Sequence, residues 1–98
     1  MRVRVRRYII EFNRIIYDDI RRGARILQRR FGLNVQLVPH KTTMIVRPPS
    51  TMSWASFRRA IAAMLQPRRG SAVIFSEWSG RSYLCSNVGN RPGRFQTL

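Results

Sequence analysis

Ninety-eight residues make room for one domain with one core, burying about 65% of the unfolded chain's surface, and 44% apolar residues with ten aromatics exclude a disordered polycation. Eighteen arginines and Lys41 against four acids give a net charge of +15, a self-repulsion that a fold sustains when a polyanion neutralises it. No apolar run is long enough to span a bilayer, so no membrane partner is expected, and the lone Cys85 excludes an internal disulfide framework and fits a reducing, cytoplasmic setting.

From Arg2 to Phe12 the residues alternate, with Val3 and Val5 on one side and Arg2, Arg4 and Arg6 on the other. That period predicts a strand with a charged face, and the phase slip at Arg7 is where a bulge or a change of burial would fall. A helix over 14–31 would gather Ile16, Ile20, Gly23, Ala24, Leu27 and Phe31 on one side and Arg14, Arg21, Arg22, Arg25 and Arg29 on the other. Asp18 would then pair with Arg14 and Arg22 at four-residue spacing, and Gly32 would stop the helix. The alternative start is "DD" as the cap, with "RIIYD" left as a short strand.

"NVQLV" reads as a strand, "PHKT" as a turn, and "TMIV" as a strand ended by "RPPS". Ser53 caps a second helix with Trp54, Phe57, Ile61, Met64 and Leu65 on one face and Ser56, Arg59, Ala62 and Ala63 on the other. "SAVIFSEW" and "RSYLCSN" are strands joined at Ser79-Gly80. The tail carries Arg91 and Arg94, has no period, and reads as a loop or arm. The expectation is a single α+β domain over 1–88 with a C-terminal arm over 89–98. Its first six elements follow a ferredoxin-like βαββαβ sandwich with an extra C-terminal strand and two helices on one face of an antiparallel sheet.

Arginine rather than lysine points to phosphate, because a planar fork of donors grips two oxygens at once. The phosphate-contacting candidates are Arg14, Arg21, Arg22, Arg25 and Arg29, with Arg2, Arg4, Arg6, Arg68, Arg69, Arg91 and Arg94 in support. Tyr8, Trp78 and Tyr83 are candidates for stacking on bases, as single-strand binders use rings beside cations. DNA or RNA is the expected partner. The rival is an acidic protein or ribonucleoprotein complex, bound by a small basic adaptor or inhibitor of phage or mobile-element type through the small Ser56, Ala62 and Ala63 face and the "WSG" tip. A homodimer through a sheet face or edge strand is compatible with either.

Catalysis is poorly supplied: one histidine, His40, one cysteine and four carboxylates leave no metal centre of the zinc kind, and "GNRPG" lacks the lysine and helix of a phosphate loop. No cofactor is expected, and the reading is non-catalytic. A third alternative rests on "RRFGLNVQLV" and "GSAVIFSEW", which resemble the helix-to-second-strand passage and the final core strand of the small ferredoxin-like CRISPR adaptation subunit. The resemblance implies a metal-dependent nuclease, with Glu11 standing where that family commonly has an aspartate after strand one and Asp18 and Asp19 close by.

Overall fold

The fold, obtained as a computed structural model, describes residues 6–86 and 94–98. In β1 (Tyr8–Asn13), strict alternation buries Tyr8, Ile10 and Phe12 and turns Ile9, Glu11 and Asn13 the other way. A strand with two such faces needs cover on only one of them. The helices α1 (Tyr17–Phe31) and α2 (Trp54–Leu65) supply it, placing Ile20, Ala24, Leu27, Phe57, Ile61 and Met64 in one core with Ile10, Met44, Val46 and Ile74.

The remaining strands are β2 (Asn34–Leu37), β3 (Thr43–Arg47), β4 (Ser71–Ser76), β5 (Ser82–Ser86) and β6 (Arg94–Thr97). They form one six-stranded sheet in the order β2-β3-β1-β4-β5-β6, with every neighbouring pair antiparallel. β1 lies in the interior, with Ile9 opposite Ile45 of β3 and Phe75 of β4. The chain is thus α+β with two helices and an antiparallel sheet, as the sequence predicts.

Four local expectations give way. The first helix starts at Tyr17 rather than at residue 14, and "RIIYD" forms no strand, because the chain reverses at Arg14 with a left-handed φ of 61°. Ile16 therefore leaves the apolar stripe and becomes the N-cap, 68% exposed, with no side-chain bond to the helix. The charged strand begins at Tyr8 among the described residues, so Arg2 and Arg4 lie outside them. Finally, the tail carries a strand: β6 pairs with β5, Phe95 opposite Cys85, so the sheet gains two strands beyond the first six elements rather than one.

Two glycines and one serine fix the helices. Gly32 ends α1 in the left-handed region, φ 69°, where its N–H donates back to the Gln28 carbonyl. Gly23 lets the helices approach closely, since a Cβ there would collide with the Met64 terminal methyl. At α2, the Ser53 hydroxyl oxygen accepts the Ser56 N–H at 3.1 Å, the bond that a serine N-cap exists to make.

Candidate nucleic-acid interface

At 100° per residue, Arg21, Arg22, Arg25 and Arg29 fall within about 100° of one another on the outer side of α1, and all four are exposed. Arg22 donates to Asp19 at 3.4 Å, an exposed contact of the kind that contributes little to stability. Asp18, expected as its partner, sits exposed among the arginines and takes no part in an ion pair with them. Arg21, Arg25 and Arg29 have no hydrogen bond or ion pair among the described residues.

Arg14 is not part of this face, since it precedes the helix. It lies instead just beyond the end of β1, where Asn13 pairs with Ser71. Arg68 lies partly buried and donates to the Met64 carbonyl at 2.5 Å, whereas Arg69 is exposed. From Arg21 to Arg29 the exposed cations of α1 span about 12 Å at 1.5 Å per residue.

Arg6 belongs elsewhere. Its guanidinium donates to the carbonyls of Pro49 and Met52, tying the start of β1 to the loop before α2. Arg7 pairs with Glu77 at 3.2 Å. The second helix also engages its own cations: Arg59 bonds the Ser56 hydroxyl at 3.1 Å and Arg58 lies over the Phe95 ring at 5.8 Å. Arg94 is exposed in β6, and Arg91 lies outside the described residues.

The stacking candidates separate. Tyr8 is a core residue, 4% exposed, with its ring stacked on Phe57 at 4.4 Å and Trp54 at 5.7 Å. Burial pushes its hydroxyl pKa up, against the opposing pull of Arg6. Its even phase in β1 turns it under the helices, where it also lines a small cleft with Trp54, Trp78 and Tyr83. Tyr83 is half-buried against Trp54 at 4.8 Å. Trp78, at the β4–β5 turn, is 58% exposed.

The acids do not converge. Glu11 is exposed on the helix-free face of β1, while Asp18 and Asp19 ride on the first turn of α1. Among the described residues no three His, Cys, Asp or Glu side chains stand together as a metal site. Cys85 is fully buried, and burial pushes its thiol up to about 12. His40 is exposed in the β2–β3 turn with a left-handed φ of 59°, its ring 6.3 Å from that of Tyr17.

A groove of about 280 Å³ runs between α1 and β2, lined by Arg21, Arg25, Gln28, Val35 and Leu37. Gln28 Nε2 donates to the Val35 carbonyl at 3.2 Å, marking the free edge of the sheet. The sequence signal was the glutamine among arginines at helical spacing; its strand partner is a tertiary fact.

No helix of the described residues is long and apolar enough to cross a membrane. No protein-family model, curated protein or solved structure matches this chain.

Proposed function

We propose that the protein binds nucleic acid without catalysing a reaction on it, through phosphate contacts from the outer side of α1. The supporting observation is that Arg21, Arg25 and Arg29 stand exposed on one helix side without an ion pair among the described residues, on a chain of net charge +15. Such contacts position a ligand and read no bases. For the first six elements the reading is a ferredoxin-like βαββαβ arrangement, supported by the strand order β4-β1-β3-β2 within the sheet.

Anisotropy of a labelled duplex and of a labelled single strand, measured against salt, tests this reading. About six phosphate contacts on duplex DNA give log K a slope near −5 against log salt. A flat response overturns it.

A second reading, an acidic protein partner, draws on the groove between α1 and β2. There two arginines flank the edge strand β2, whose Val35 carbonyl already accepts from Gln28, an arrangement suited to an extended segment bearing carboxylates. A glutamate-rich peptide that binds tightly while both nucleic acids bind weakly selects this reading over the first.

A further inference from the structure

We infer that the cleft beside the β4–β5 turn receives a single unstacked nucleobase, an inference that rests on the nucleic-acid reading and adds a single-strand preference to it. The cleft measures about 150 Å³ and is walled by Tyr8, Trp54, Trp78 and Tyr83, with Arg6, Ser76 and Ser79 around it. That is the room of about five waters at ~30 Å³ each, the scale of one heterocycle and well below the ~300–1,000 Å³ of drug-sized sites.

The two tryptophans differ in a way that points to a ligand. Trp54 is satisfied by its neighbours, its ring in contact with those of Tyr8, Phe57, Tyr83 and Phe95. Trp78 is 58% exposed and has no ring partner among the described residues. An indole left open to water normally has little reason to be held still. The turn that carries this one is held: Gly80 N–H donates to the Ser76 carbonyl at 2.8 Å, Ser76 N–H to the Arg81 carbonyl at 2.9 Å, and Ser79 N–H to the Ser76 hydroxyl at 3.2 Å. Glu77, bonded to Arg7 through both backbone and side chain, pins the turn to β1.

The chemistry of the walls selects the occupant. Aromatic faces stack on any base. The Ser76 and Ser79 oxygens each accept a backbone N–H, at 3.2 and 3.3 Å, which leaves their O–H groups to donate to ring nitrogens or carbonyls of a base edge. Arg81, exposed one residue beyond Gly80, adds a cation to the same turn. A base enters such a cleft only when it is out of its stack, so the ligand is a single strand or a loop.

The test compares wild type, Trp78→Ala and Trp78→Phe, at low salt, against three labelled ligands: an oligothymidine, an abasic strand of equal length and a duplex. Wild type should bind oligothymidine roughly tenfold more tightly than the abasic strand, the effect of stacking one base. Trp78→Ala should erase that preference while leaving the abasic strand and duplex unchanged, and Trp78→Phe should restore most of it. Equal binding of oligothymidine and abasic strand by wild type overturns the inference and leaves the phosphate reading standing. Failure of wild type to bind any strand or duplex overturns the phosphate reading instead. Titration with uncharged adenosine then decides the cleft by itself: saturable quenching of tryptophan emission, lost in Trp78→Ala, supports it, and its absence overturns it. Quenching by N-acetylprolinamide but not by adenosine assigns the cleft to a peptide and also overturns it.

Discussion

The two helices use arginine in opposite ways. On α2, Arg58 and Arg59 lie against Phe95 and Ser56, and the buried side carries Phe57, Ile61 and Met64. On α1, only Arg22 meets a carboxylate, and Arg21, Arg25 and Arg29 meet none among the described residues. Their caps differ too: α2 starts at a serine that bonds its first turn, α1 at an isoleucine that does not. The contrast teaches that residue type does not assign a role; what the surrounding fold leaves unsatisfied does.

Four changes test that contrast. Replacing Phe57, fully buried and stacked on Tyr8, with alanine should cost about 3–5 kcal/mol, read by chemical denaturation. An unchanged midpoint would mean that α2 is not the structural helix. Changing Arg21, Arg25 and Arg29 together to glutamine should leave the fold intact and reduce the salt slope of nucleic-acid binding by roughly 2.7, for three lost phosphate contacts. Binding that keeps its slope would move the interface off α1.

Capping gives a smaller, paired effect. Ser53→Ala should lower stability by about 1 kcal/mol, while Ile16→Ser, in an extended N-cap conformation already, should raise it by up to about 1 kcal/mol. Thermal melts of the two variants should move in opposite directions, and a common direction would contradict the capping assignment. Smallest is the alkaline effect of Cys85. Its thiol titrates at an ordinary value of 9.0 when unfolded and about 12 when buried, so the folded state holds a proton that the unfolded chain has released. Stability present below pH 9 is therefore lost as pH rises toward 12. Cys85→Val should make that decline shallower, and melts at pH 7.5, 9 and 10.5 check it; an identical decline in both proteins would place the titration elsewhere, Tyr8 included.

Much of the architecture was legible because periods are local. The alternation of "YIIEFN", the 3.6-residue period from Ile20 to Phe31 and the Ser53 cap each declare an element within its own residues. The losses came where a distant partner decided. β6 holds one inward apolar residue, Phe95, and becomes a strand only because β5 offers an edge. Ile16 fits the apolar period of α1 yet falls outside it, since the reversal at Arg14 is dictated by where β1 must stop. That Tyr8 lies under the helices was not legible, because a strand's two faces look alike until the helices choose one. The α1 arginines were visible as a face, whereas the freedom of three of them and the capture of Arg6 by two carbonyls depended on packing.

The interior position of β1 carries a consequence for synthesis. Its neighbours, β3 and β4, arrive only at residues 43–47 and 71–76, each after an intervening helix. On the ribosome β1 thus waits, unpaired on at least one edge, until residues 71–76 have been made. Throughout that interval the arginine-bearing helix that follows it is already outside the exit tunnel or within it, alongside the most abundant polyanion in the cell.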